Sequence, residues 1–180
     1  MFKKITLVLL MAVSTIFCTA EEAKNLIANA DFAQEFKGWY VSKAKTSTSY
    51  TLKKLDDKNI LVAKGDSKLG EKNAYIKCAQ TLKLTKEQIA GKKFTFGVTL
   101  KAVQVSGKLM FAIREVDANK KTIRYQAIKL KKRDSYDWKK FTKTFTASPD
   151  TTEFAVYIVS NYLQDDDEIL AKDIFLNAAE

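Results

Sequence analysis

Every second residue from Phe94 to Leu100 is apolar (Phe94, Phe96, Val98, Leu100), while Thr95, Gly97, Thr99 and Lys101 between and after them are small or polar. Successive side chains of a strand point to opposite faces, so a period of two predicts a strand with one buried face and one wet face. The pattern returns at Phe111 and Ile113, and at Phe154, Val156 and Ile158. Runs of this kind predict strands over 39–43, 49–55, 59–63, 74–84, 94–103, 108–116, 122–130, 139–146, 153–160 and 168–177, bounded by Gly, Asn, Asp and Lys turns. Asp117-Ala118-Asn119-Lys120 supplies a hairpin turn between two long strands. Only Thr85 to Ala90 reads as a helical turn, with Thr85 as its N-cap. About ten short strands at close intervals predict an all-β chain, a two-sheet antiparallel β-sandwich. Burying each apolar side chain of these stripes contributes roughly 1.5–3 kcal/mol before entropy is counted, so the stripes need no ligand to explain them.

The chain contains no histidine. That removes Ser-His-Asp, Cys-His and His-ligated metal chemistry. Hydrolysis of a glycoside needs two opposed carboxyl groups roughly 5–10 Å apart. The acids here fall mostly in turns: Asp56-Asp57, Asp117, Asp134, Asp137 and Asp165-Asp166-Asp167. Glu115 is the one acid inside a clear strand and reads as a solvated strand position. No glycine-rich phosphate loop is present. The expectation is a protein that is not an enzyme.

Lys3 and Lys4, the apolar run from Ile5 to Phe17 and the ending Cys18-Thr19-Ala20 have the form of a secretory signal peptide, 1–20, cut after Ala20. The run is too short to span a membrane as a helix. Bulky Phe17 argues against lipidation at Cys18. A secreted or periplasmic mature chain, 21–180, is one domain's length with no linker or repeat. Loss of Lys3 and Lys4 takes the formal net charge from +10 to +8. The lysines are spread evenly, the densest group being Lys129, Lys131, Lys132 and Arg133. Such a coat favours acidic polysaccharide or an anionic cell surface over nucleic acid, which export disfavours further. Cys78 is left without an intrachain partner and reads as a buried, inert thiol.

Asn25-Leu26-Ile27-Ala28-Asn29-Ala30-Asp31-Phe32, followed by Gly38-Trp39, resembles the opening of the carbohydrate-binding modules of families four, nine and twenty-two, roughly Asn-Leu-x-x-Asn-Gly-x-Phe-Glu and then Gly-Trp. Ile169-Leu170-Ala171-Lys172-Asp173-Ile174-Phe175-Leu176 is similar to their closing strand. Gln80-Thr81-Leu82, Ala90-Gly91-Lys92-Lys93-Phe94 and Asp137-Trp138-Lys139-Lys140-Phe141 keep the order of landmarks between, so the resemblance covers about residues 25–177. It implies a jelly roll of galactose-binding-like type that binds a polysaccharide or oligosaccharide in a groove on one sheet without cleaving it. The alternative is a structural or adhesive β-sandwich contacting a protein or cell surface. Trp39 and Trp138 fall at landmark positions that the resemblance makes structural.

Sugar recognition asks for aromatic surface against the pyranose face and planar polar groups for its hydroxyls. Arg114, Arg124, Gln126 and Tyr157 lie on the later strands and form the expected floor of the groove, with Tyr40, Tyr50 and Tyr162 as walls. The resemblance further implies a structural calcium between the first and last strands. Asp173 keeps the closing aspartate and Asp31 is a second candidate ligand. The usual glutamate is Ala33, the usual glycine is Ala30 and the aspartate before Asp173 is Lys172, which weakens a site for a cation that takes six to eight oxygens.

Overall fold

A computed structural model of the chain describes residues 24–42, 48–65, 76–105, 107–130, 135–161 and 163–179. The signal peptide, Cys18, the cluster 131–133, Asp134 and Tyr162 lie outside the described residues. Ten strands are described: β1 Tyr40–Val41, β2 Thr48–Leu55, β3 Lys58–Gly65, β4 Ile76–Thr81, β5 Lys93–Val103, β6 Lys108–Val116, β7 Thr122–Lys129, β8 Tyr136–Thr146, β9 Glu153–Asn161 and β10 Glu168–Ala178. One helical turn, α1 Lys86–Ile89, follows Thr85, whose backbone N–H donates to Gln88 Oε1 at 2.8 Å. These elements match the expected strands and helical turn to within a few residues at each end.

Two antiparallel five-stranded sheets form, β1-β4-β9-β6-β7 and β2-β3-β10-β5-β8. The inward stripes meet between them. Phe94, Phe96, Val98 and Leu100 of the second sheet pack with Phe111, Ile113, Phe154, Val156 and Ile158 of the first. Phe94 and Phe154 stand edge to face at 5.0 Å, a favoured aromatic geometry. Cys78 is buried in this core, and burial pushes its thiol pKa up to about 12, so the thiol stays protonated and unreactive.

The opening landmarks and Gln80 have structural jobs. Asn25 Nδ2 donates to the carbonyl of Ile174 at 2.8 Å, and Asn25 Oδ1 accepts from the N–H groups of Ile27 and Leu176 at 3.1 Å each, so the opening segment is tied to β10. Gln80 clamps Ala28, accepting from its N–H at 3.0 Å and donating to its carbonyl at 2.9 Å. Asn29 Nδ2 donates to the carbonyls of Glu35 and Lys37, folding the turn that ends at Gly38, whose φ of 83° suits glycine. Buried Phe32 packs against Phe36 and Trp39. Trp39 Nε1 donates to the Asn29 carbonyl at 3.1 Å, and β1 begins at the next residue. Trp39 is thus structural.

Trp138 is structural in a different place. It lies on the outer face of the second sheet, against Ile60, Val62, Leu170 and Leu55, with the Lys172 ammonium 4.4 Å from its ring centroid. Among the described residues no helix is long and apolar enough to cross a membrane.

Candidate functional site

The outer face of the first sheet is set by strand register. Directly paired residues of an antiparallel ladder share a face. One row across the sheet reads Tyr40, Ala79, Tyr157, Ala112, Ala127. The next reads Lys77, Val159, Met110, Lys129, and the row on the other side reads Thr81, Ala155, Arg114, Tyr125. Alanines flank Tyr157 and pack with it and Val159 as a small apolar cluster outside the main core. Neighbouring strands lie about 4.8 Å apart, so Tyr40 and Tyr157, two strands apart, are separated by roughly 10 Å.

Tyr40 and Tyr125 stand 58% and 48% exposed, whereas Tyr157 is only 7% exposed. The reason is that two cations cover its ring. Lys77 Nζ lies 5.2 Å from the Tyr157 ring centroid and 5.6 Å from that of Tyr40. The Arg114 guanidinium carbon lies 5.3 Å from the Tyr157 centroid. Tyr125 meets Tyr157 edge to face at 6.2 Å. Burial raises the Tyr157 pKa, so its hydroxyl stays neutral at all ordinary pH.

Only part of the expected groove assembles here. Arg114, Tyr157 and Tyr40 share the face. Arg124 and Gln126 share a face with each other, but it is the opposite one. Ile128 of β7 and Leu130 just after it pack toward the core, and Arg124 and Gln126 follow that register. Both are bound to Glu115: Arg124 Nε donates to Oε1 at 2.6 Å and Gln126 Nε2 to the same oxygen at 3.0 Å. Ser148 N–H and the Thr151 hydroxyl donate to Oε2 at 2.7 and 2.9 Å. Glu115 is therefore not solvated, as its strand position suggested, but fully buried and saturated. Burial alone raises its pKa; the bonds from Arg124, Ser148, Gln126 and Thr151 more than offset this and hold the carboxyl below the usual glutamate range. Arg124 also donates to the Thr146 carbonyl of β8, joining the edges of the two sheets.

Tyr50 is no wall either. It belongs to β2 in the second sheet and is buried in the core, where its hydroxyl donates to the Ile158 carbonyl at 2.9 Å and pairs with the Ser160 hydroxyl at 3.0 Å. A buried tyrosine needs such partners, and β9 supplies them. Tyr125 and Lys77 were not among the expected site residues. The signal that finds Tyr125 is its alternation with Arg124 and Gln126, once Ile128 and Leu130 identify the inward register.

Asp31 and Asp173 do line one cleft of about 550 Å³, with Asn25, Asn59, Lys172 and the Asp56-Asp57 turn. Asp173 sits at a bulge of β10 with φ 50°. Several oxygens of this cleft already carry hydrogen bonds that a cation would have to share. Asp31 Oδ1 accepts from Ala33 N–H at 3.1 Å, and carbonyl oxygens that a cation would use already take amide donors, Ile174 from Asn25 and Phe32 from Asn59 at 2.6 Å. Among the described residues no three or more acidic, cysteine or histidine side chains gather as a metal site. Asp165 and Asp166 are exposed in the β9–β10 loop, while Asp167 is buried and accepts the Gln164 N–H at 2.8 Å.

The architecture is a two-sheet antiparallel β-sandwich. No family model matches the sequence, and no curated protein matches it. Solved structures match the fold. A family 61 carbohydrate-binding module in complex with β-1,4-galactotriose superposes with a TM-score of 0.63 at 12% identity, over 87% of this chain and 100% of that one. The enzymatically active domain of bacteriophage CBA120 tailspike protein 4 gives 0.65 at 12% identity; the match covers 86% of this chain but only 21% of the tailspike chain. The Stig cyclase Fisc from Fischerella sp. TAU gives 0.61 at 13% identity, over 88% and 98%. Carbohydrate-binding modules of families 4, 16 and 22 share the fold as well. At such identities the fold is what is shared, and it does not single out families four, nine and twenty-two.

Proposed function

We propose that this chain binds a polysaccharide or oligosaccharide on the outer face of the first sheet and does not cleave it. The observation that carries the reading is the pair of open tyrosines, Tyr40 and Tyr125, on one face with Lys77 and Arg114 between them. Open aromatic rings offer stacking surface to a pyranose, and ammonium and guanidinium groups donate to its oxygens. The alanines around Tyr157 keep the space between the tyrosines low. Carbohydrate-binding modules among the structural neighbours support the same reading. Tyr157 acts as the seat of the two cations rather than as a stacking platform.

Binding without cleavage is supported by the placement of the acids. Glu115 is consumed by four donors on the opposite face. Glu153, paired with Val116 at the end of this face, is bound to Lys120 at 2.8 Å. Among the described residues neither is placed opposite a second carboxyl group across the tyrosines, the arrangement that glycoside hydrolysis needs. The leader-like first twenty residues support export of the chain to the periplasm or medium, where polysaccharide is met. A glycan array and pull-down on insoluble polysaccharides with residues 21–180 test the reading. Retention that is lost in a Tyr40→Ala/Tyr125→Ala double variant supports it. A folded protein that binds nothing across a broad panel would leave the structural or adhesive alternative.

A further inference from the structure

We infer that the sugar this face selects is a uronic acid, whose carboxylate docks between Lys77 and Arg114 while its ring lies against Tyr40 or Tyr125. The inference rests on the carbohydrate-binding reading and narrows its ligand class. Among the described residues three cations are committed to acids, Arg124 to Glu115, Lys101 to Asp137 and Lys120 to Glu153, while other lysines, among them Lys139, Lys140 and Lys172, sit over rings without an ion pair. Lys77 and Arg114 differ from both groups in converging on one ring between open tyrosines. Among the described residues neither has a carboxylate within ion-pairing distance, and both lean on the same tyrosine ring, at 5.2 and 5.3 Å from its centroid. A ring face holds a cation without consuming its N–H donors, so both groups are positioned and still able to donate. The Nε of Arg114 is buried with no hydrogen-bond partner, so no protein acceptor takes this nitrogen of the guanidinium.

Among the described residues the charge on the face has one sign where the tyrosines stand. Lys129 adds a third cation in the row of Lys77. The acid of the face, Glu153, sits at its end and carries its own lysine. A neutral glycan would leave this concentration of positive charge uncompensated on binding, whereas a uronate chain neutralises it. Geometry favours a uronate over a sulfate ester. The uronate carboxylate is bonded directly to a ring carbon, so its position is fixed beside the pyranose face. Lys77 lies directly between Tyr40 and Tyr157, and Arg114 is the cross-strand partner of Tyr125, so each cation stands beside an open ring. A sulfate is carried outward on a rotatable ester bond.

The test uses the exported chain in affinity electrophoresis and titration calorimetry at about 0.15 M salt, where screening beyond about 8 Å suppresses loose polyelectrolyte attraction. The probes are polygalacturonate and alginate as uronates, dextran sulfate as a sulfated polymer, and galactan and xylan as neutral ones. Uronate binding is expected to fall at least about tenfold in Arg114→Gln and in Lys77→Gln, since a charge-assisted contact is lost in each. Lys139→Gln/Lys140→Gln removes twice that charge from β8 in the second sheet, where both lysines also lie near phenylalanine rings, and is expected to leave uronate binding unchanged. Thermal melts confirm that each variant is folded, and the two single variants act as independent checks. Equal affinity for galactan or xylan, unaffected by Arg114→Gln and Lys77→Gln, overturns the uronate inference while the carbohydrate-binding reading stands. Retention of dextran sulfate alone overturns it as well, as does an equal loss in the β8 control. Absence of binding to every polymer overturns both.

Discussion

The Nε of Arg124 lies 2.6 Å from Oε1 of Glu115, which commits this guanidinium to an acid buried between β6 and β7 and removes it from the face that carries Arg114. The consequence is that two arginines with the same strand context have opposite jobs. Arg124→Ala strips the buried carboxylate of its charged donor, and leaving such a group underpaired costs about 2 kcal/mol. For a domain of this size that is a fall of roughly 4–8 °C in melting temperature. Polysaccharide affinity is expected to be the same as in the parent chain, and calorimetry alongside the melt separates the two roles.

The saturated Glu115 also makes acid a specific stress. Its folded pKa is depressed below the ordinary glutamate value, so its contribution to stability is complete above that ordinary value and is lost as pH falls through the folded one. Urea unfolding followed from about pH 7 down to about pH 3 should show a steeper loss for the parent than for Glu115→Gln, which cannot titrate there. Glu115→Gln should be the less stable protein near neutrality. The gap should narrow in acid; a constant gap would mean that Glu115 is not the titrating group.

What was legible in the sequence was the part that obeys a period. The ten strands follow from alternation. The opening and closing motifs were legible because Asn25 and Gln80 each make several backbone bonds that few other side chains can reproduce. The binding face was half legible, since alternation assigns residues to two faces without saying which is inward when both are polar. In β7 the pairs Arg124/Gln126 and Ile123/Tyr125 gave conflicting cues. Ile128 and Leu130 farther along set the inward register, and Glu115, buried on that side of the neighbouring strand, takes Arg124 and Gln126 as partners while Tyr125 is left 48% exposed. Tyr50 misled for a related reason. Its hydroxyl finds the Ile158 carbonyl across the core, a contact between strands 108 residues apart that no local pattern encodes.

Asn25 and Asn59 occupy the junction where the resemblance implied calcium. Their amides already bind the Ile174 and Phe32 carbonyls, so metal is expected to add little. A chelator should move the melting temperature by less than about 2 °C, a shift worth under about 1 kcal/mol. Asn25→Ala should instead cost about 2–3 kcal/mol, because three bonds are lost together, one within the opening segment and two to β10. A chelator effect larger than that of Asn25→Ala would show that a cation, and not the asparagine, holds the junction.

Tyr40, Tyr125 and Tyr50 separate function from stability among residues of one type. Among the described residues Tyr40 and Tyr125 are the exposed aromatics of the first sheet, and Tyr50 is buried beneath the same sheet. Stacking a sugar on an open ring is worth roughly 1 kcal/mol, so Tyr125→Ala and Tyr40→Ala should each weaken binding about fivefold. Their melting temperatures should stay within about 2 °C of the parent, since exposed side chains away from special features contribute little to stability. Tyr50→Phe keeps the ring and loses the hydroxyl, leaving the Ser160 hydroxyl and the Ile158 carbonyl without that partner in the core. It should lower stability by about 1–2 kcal/mol and leave affinity unchanged. A polysaccharide found by screening serves as the ligand, and calorimetry with each variant reads affinity. If Tyr50→Phe weakens binding while Tyr40→Ala and Tyr125→Ala do not, the binding face is not the outer surface of the first sheet.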